Sequence, residues 1–154
     1  MKRFWTATIF IFINFIALAI GAFLMGNEVI SDWYQDLDKA PWTPPGWVFG
    51  AAWTFIMICF GIFMGQAWNK VVQKRQLLVL YVIHWLLNVA WNPIFFSSHM
   101  VFLGLAVITI LWGLMLYFMI RYSKEMKWWI VLVAPYVIWL AIATSLNAFI
   151  YIYN

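Results

Sequence analysis

The sequence predicts an all-α integral membrane protein: a five-transmembrane-helix bundle whose long, partly helical first loop acts as a lid. Three observations carry that expectation. Charged residues make up 9% of the 154 positions and hydrophobic ones 67%, whereas a soluble domain carries about 25% and roughly 45–50% respectively. Five apolar segments, residues 4–26, 47–68, 77–96, 100–120 and 128–153, each supply the ~20 residues that a helix needs to cross a ~30 Å hydrocarbon core. Basic residues then gather on one side of those crossings. The same composition excludes a disordered chain, a disulfide scaffold and a coiled coil, because the apolar content is too high and Cys59 is the single cysteine. A nucleic-acid partner is also not expected from a net charge of +4 that reports orientation rather than a basic patch.

The first segment resembles a signal peptide at its start, with Lys2 and Arg3 before an apolar run and small residues at Ala17 and Ala19. The run continues unbroken to Gly26, so the expectation is a retained span. Strands do not suit these segments: a membrane barrel alternates apolar and polar residues, but residues 9–13 and 101–108 are apolar on every side.

Residues 27–46 form a connection of a length often used for lids or binding elements. Ser31 can cap a short helix through Asp32 to Leu37, which Pro41 would end. Pro41, Pro44 and Pro45 fix the backbone around Trp42, which favours an ordered segment folded over the bundle mouth. For Trp33, Trp42 and Trp47 two readings stay open, a lid and an interfacial aromatic belt.

In the second span Gly46, Phe49, Gly50, Trp53 and Met57 share a helix face, with small residues beside a large indole. Gly61 and Gly65 make a GxxxG pattern that lets another helix approach closely. That helix belongs either to this bundle or to a second copy, so a homodimer is one expected assembly. In the third span His84, Asn88 and Asn92 recur every four residues, with Trp91 beside them and Pro93 breaking the amide ladder. In the fifth, Tyr136, Trp139, Ala143 and Asn147 form a further stripe, and Pro135 is expected to kink the helix and free the carbonyl of Val131. Polar residues inside a span are costly without a partner or cavity. Each asparagine alone is consistent with helix–helix bonding worth ~0.6–2 kcal/mol. Three such stripes together suggest an aromatic pocket with a few placed polar groups, the usual form of a small-molecule site.

The fourth span shows its meaning at its end. Lys2, Arg3, Lys70, Lys74, Arg75, Arg121, Lys124 and Lys127 fall on one side of five crossings, and Lys39 alone falls on the other. Glu28, Asp32, Asp36 and Asp38 lie with Lys39, and Glu125 lies among the basic residues. By the positive-inside rule the N-terminus is cytoplasmic and the C-terminus outside, as in a multi-pass protein of a bacterial plasma membrane.

Catalytic options are narrow. The spans hold no carboxylate for acid–base work. Cys59 has no basic neighbour to activate it, and His84, His99 and one thiol do not assemble a metal site. One histidine as an axial haem ligand is a further reading, set against His84 as a hydrogen-bonded interhelical group.

These residues resemble the tryptophan-rich sensory protein / translocator protein family, once called peripheral-type benzodiazepine receptors. The resemblance covers nearly the whole chain: Trp33-Tyr34, the Pro41-Trp42-Thr43-Pro44-Pro45-Gly46 run, Trp53, the series Asn88, Trp91, Asn92, Phe95 and Phe96, and the stretch from Pro135-Tyr136 through Trp139 and Ala143 to Leu146-Asn147. It implies a membrane receptor or sensor that binds tetrapyrroles such as protoporphyrin IX and haem, or benzodiazepine-type ligands, between the helices beneath the first loop. The ligand is then a tetrapyrrole or another flat apolar molecule in a lipid setting, with no required cofactor and no metal. The positions carried over are Tyr34, Pro44, Trp53, Asn88, Trp91, Trp139, Ala143 and Leu146; the stripes add Phe49 and Asn92. The resemblance also raises light-dependent porphyrin breakdown, with Trp53 and Trp139 as the photochemical candidates, and transport of tetrapyrroles or lipids. Animal members carry a cholesterol motif at the end of the last span. Here that end, residues 146–154, has no basic residue, while Leu114, Tyr117 and Arg121 match its weak pattern in the fourth span.

Overall fold

The computed structural model describes residues 2–154, with side chains from Phe4 onward. The Lys2 and Arg3 side chains of the charge argument therefore lie outside the described residues. Among those residues the regular structure is wholly helical: α1 (Lys2–Met25), α2 (Asp32–Asp36), α3 (Gly46–Lys70), α4 (Lys74–Asn92), α5 (Val101–Met126) and α6 (Ala134–Tyr153). Four stretches are long and apolar enough to cross a membrane: Phe4–Met25, Gly46–Lys70, Lys74–Ser97 and the 53-residue Val101–Tyr153. The last is folded in two. Lys127, at φ 53°, turns the chain after α5, a 3₁₀ segment follows over Lys127–Val133, and α6 packs back along α5.

The long helices form a ring in which α1 lies between α3 and α4, α4 beside α5, α5 beside α6, and α6 returns to α3 along a thin seam. The tightest contact is α1 on α3. A Cβ at Gly61 would sit 2.8 Å from the Ile11 backbone, and one at Gly65 would sit 2.6 Å from the backbone nitrogen of Ala7. The GxxxG face is thus occupied by α1 of the same chain, and a second copy would need another face. The end of the bundle that carries the basic residues is filled with large side chains, including Phe60, Phe63, Phe118 and Tyr122, all fully buried.

Several element boundaries differ from the hydropathy reading. α5 runs to Met126 rather than 120, because Arg121 bonds Glu125 across one turn at 3.0 Å and also reaches Gln73 and Gln76. Hydropathy marks where apolar cover ends, not where helical hydrogen bonding ends. The third apolar segment is helical only to Asn92 and continues as a π-type turn over Pro93–Ser97, closed by the Ser98 amide donating to the Pro93 carbonyl at 2.9 Å. Pro135 does not kink a helix. It sits in the first turn of α6, where its missing N–H costs nothing, and the Val131 carbonyl accepts from the Ala134 amide. The short helix α2 is capped by Ser31 as expected, with Ser31 Oγ accepting from the Tyr34 amide at 3.3 Å. It ends at Asp36, because Leu37 is already extended at ψ 139°, well before Pro41.

Residues 27–45 lie across the other end of the bundle. Gly26, at φ +59°, ends α1 in the left-handed conformation that glycine takes without penalty. Trp33 stacks on His99 with centroids 3.9 Å apart, and His99 Nε2 lies 3.4 Å from Glu28 Oε2. Trp42 Nε1 donates to Ser145 Oγ at 3.1 Å. Asn154 accepts from the Asp38 amide at 2.8 Å and donates to the Asp38 carbonyl at 3.2 Å. These contacts separate the indoles: Trp33 and Trp42 anchor the segment, while Trp47 is 76% exposed.

Candidate functional site

Beneath residues 27–45 the helices border a cavity of about 620 Å³. Its position follows from backbone spacing. α1 and α3 touch through glycine at Gly61 and Gly65, but towards the first connection α3 presents Gly46 and Gly50 with open space around them. The helices cannot be filled there as they are below.

All ten residues expected at the site line this one cavity. Phe49 and Trp53 come from α3; Asn88, Trp91 and Asn92 from α4; Trp139, Ala143 and Leu146 from α6; and Tyr34 and Pro44 from the covering segment. The aromatic walls are held edge to face: Phe49 against Trp139 at 5.3 Å, and Trp53 against Tyr136 at 5.8 Å. Trp91 is fixed at both ends, its ring stacked on Phe95 at 5.7 Å and its Nε1 donating to Asn147 Oδ1 at 3.3 Å. Asn147 Nδ2 donates in turn to the Ala143 carbonyl at 3.0 Å. Trp139 Nε1 differs: it is buried and has no hydrogen-bond partner among the described residues.

Other members of the sequence stripes sit below the cavity. Met57 is buried in the core, and Tyr136 and His84 form a polar layer with Asn88. Asn88 Nδ2 donates to the Tyr136 hydroxyl at 2.6 Å, and that hydroxyl lies 2.9 Å from His84 Nε2. The one hydroxyl of α6 thus joins two side chains of α4. His84 is therefore an interhelical group. A second polar contact, missed in the sequence, links α1 to α3 and α4: the Tyr81 hydroxyl donates to Asn14 Oδ1 at 2.7 Å, and Asn14 Nδ2 donates to the Met57 carbonyl at 3.0 Å. A lone amide in an otherwise apolar first span was the signal available for it.

The sequence also missed the wall given by α1, Leu18, Ala22 and Met25, and the roof residues Gln35, Lys39 and Thr43. Burial pushes the Tyr34 hydroxyl above its ordinary pKa, which keeps this roof tyrosine neutral. The cavity is thus an aromatic slot with amides, hydroxyls and the Lys39 ammonium among its lining residues, near the middle of the ~300–1,000 Å³ range of small-molecule sites.

A family model described as "TspO/MBR family" matches residues 6–152. The chain is 33% identical over 145 residues to the "Tryptophan-rich sensory protein" of Cereibacter sphaeroides, covering 89% of this chain and 87% of the relative. It is 32% identical to "Protein CrtK" of Rhodobacter capsulatus, over 75% of this chain and 74% of the relative. Human "Translocator protein" is 30% identical over 86% of this chain and 82% of its own length.

Proposed function

This chain belongs to the TspO/MBR family and is an integral membrane protein; from that premise we propose that it is a receptor or sensor for a flat aromatic ligand of the tetrapyrrole kind. In this reading the chain crosses the bilayer five times, with α5 and α6 as separate spans, the N-terminus in the bacterial cytoplasm and residues 27–45 as the lid. A continuous 53-residue helix would be about 80 Å long at 1.5 Å per residue, far beyond one bilayer, and α6 packs along α5.

One observation carries the ligand class. The indoles of Trp53, Trp91 and Trp139 border one cavity of about 620 Å³, and aromatic faces that pack in offset or edge-to-face geometry match a flat ring system. Protoporphyrin IX or haem would lie between α3, α4 and α6 beneath Tyr34 and Pro44, and benzodiazepine-type ligands would use the same walls. Titration of protoporphyrin IX into the purified protein in detergent, followed by intrinsic tryptophan fluorescence, tests this. Saturable quenching is expected in the wild type, with at least tenfold weaker binding in Trp139→Ala. Equal affinity in both proteins would remove the site assignment.

Trp53 and Trp139 both line the cavity, which favours a second reading, in which dioxygen oxidises a light-excited porphyrin held beside these two indoles. If Trp53→Phe/Trp139→Phe consumed bound porphyrin under light at the wild-type rate, that reading would be lost.

A further inference from the structure

We propose that the basic end of the bundle carries a binding site for the headgroup of an anionic phospholipid, built from Lys70 and Lys74 over the indoles of Trp129 and Trp68. The proposal is independent of what the cavity at the other end binds.

Hydrogen bonds bring the end of α3, the start of α4 and the end of α5 together. The Val72 amide donates to Glu125 Oε2 at 3.3 Å, and Arg121 reaches Gln73 and Gln76. The 3₁₀ segment Lys127–Val133 packs on α3 beside them. Glu125 is the one acid at this end, and it is already engaged, because its other oxygen accepts from Arg121 at 3.0 Å. Lys70, Lys74, Arg75, Lys124 and Lys127 are exposed. They belong to neither ion pair found among the described residues, His99–Glu28 and Arg121–Glu125. Such an excess of cations is complemented by anions from outside the chain.

Two of these cations are held at a defined depth. Lys70 Nζ stands 5.5 Å from the centre of the Trp129 ring and Lys74 Nζ 5.7 Å from that of Trp68, both within the ~6 Å reach of a cation–π contact. Each indole is half-buried and braced by another ring, Trp129 by Trp128 at 3.9 Å and Trp68 by Phe10 at 6.3 Å. Indoles at the ends of spans lie at the headgroup level, so the two ammonium groups stand at the depth of lipid phosphates. An ammonium has three donors, and a ring face leaves capacity for phosphate oxygens.

Exposed apolar groups select a lipid over a water-soluble anion. Val72, between the two lysines in sequence, is 88% exposed, and Trp128 is 64% exposed. Cations beside such side chains complement an amphiphile whose charge sits above its acyl chains. The simpler alternative is that these charges only orient the chain during insertion, which predicts no lipid preference in the folded protein.

The test adds equal amounts of dioleoylphosphatidylglycerol and dioleoylphosphatidylcholine to the full-length protein in neutral micelles and counts the retained lipids by native mass spectrometry. The two probes share their acyl chains and differ in headgroup charge. Each cation near an anionic lipid surface is worth about fivefold in affinity, so the wild type should retain phosphatidylglycerol in about tenfold excess or more. Lys70→Gln/Lys74→Gln should lower that excess at least fivefold, whereas Lys70→Arg/Lys74→Arg should keep it. Arg75→Gln/Lys124→Gln removes the same charge from the same end and should keep at least half of the excess. Equal retention of the two lipids by the wild type, or an unchanged excess in Lys70→Gln/Lys74→Gln, would overturn the proposal. So would equal losses in the two glutamine pairs, since the attraction would then be diffuse and not a site at the two indoles.

Discussion

Two tyrosines, both fully buried, allow the polar layer beneath the cavity to be tested against an internal control. The Tyr136 hydroxyl is bonded to Asn88 at 2.6 Å and to His84 at 2.9 Å; the Tyr122 hydroxyl has no partner among the described residues. Phenylalanine at 136 keeps the ring, with its edge-to-face contacts to Trp53 and Phe60, and removes the hydroxyl alone. Interhelical hydrogen bonds in membranes average ~0.6 kcal/mol and reach ~1.7, and a buried group left unpaired costs about 1–3 kcal/mol. Two lost bonds that share one oxygen therefore place Tyr136→Phe at about 1–3 kcal/mol of destabilisation. Tyr122→Phe removes an unpaired buried hydroxyl and should cost nothing or stabilise slightly. Unfolding of both variants by sodium dodecyl sulfate from neutral micelles, followed by circular dichroism, gives the two differences directly. A cost at Tyr122 equal to or larger than that at Tyr136 would refute the reasoning. A smaller loss for Tyr136→Phe in an Asn88→Leu background than in the wild type would confirm the shared bond, because the stranded amide is then gone.

Other positions give shorter tests. Gly65→Ala should destabilise the bundle by about 1–3 kcal/mol in the same assay, since the added methyl meets the Ala7 backbone of α1; a change in oligomeric state with unaltered stability would instead place this face between copies. Asn154→Ala removes both hydrogen bonds to the Asp38 backbone and should speed amide exchange around Asp38 severalfold in hydrogen-exchange mass spectrometry, with global stability unchanged. Trp47→Phe, at a site 76% exposed, should alter neither stability by more than about 0.5 kcal/mol nor porphyrin quenching beyond the loss of one emitter.

The parts of the site that were legible in the sequence are those where polar or aromatic residues interrupt an apolar helix. Asn88 and Asn92 stand out by phase, and both reach the cavity. His84 shares their face but lies lower and pairs with Tyr136, so phase identifies a side of a helix and not a depth along it. The α1 wall was invisible for the opposite reason: Leu18, Ala22 and Met25 are apolar residues in an apolar run, and nothing local separates lining from lipid contact. The stack of Trp33 on His99 joins two loops that no periodicity connects. Lys39 was read as a topological charge, because its approach to the cavity depends on the turn at Ala40 rather than on any pattern. The end of α5 was misjudged because its final turns are held by side-chain bonds from Arg121 rather than by apolar cover.

The cavity exists because one set of helices is packed differently at its two ends. At the basic end α3 is drawn onto α1 by Gly61 and Gly65 and onto the 3₁₀ segment Lys127–Val133, and bulky side chains fill what remains. At the other end the glycines of α3 face open space, and α4 gives way to the π-type turn after Asn92. A gap made in this way has walls set by helix spacing. Residues 27–45 lie across it, and their anchors reach Ser145, Phe149 and Asn154 at the α6 end and Phe95, Phe96 and His99 beyond α4. Beside α1 and α3 the same segment is joined through the chain itself, at Gly26 and Pro45. The cover is thus fixed most firmly on the side where Trp91 and Trp139 stand. Lys39, the one charged residue on the lining among the described residues, lies within this anchored stretch, between the Asp38 clamp and the Trp42 bond.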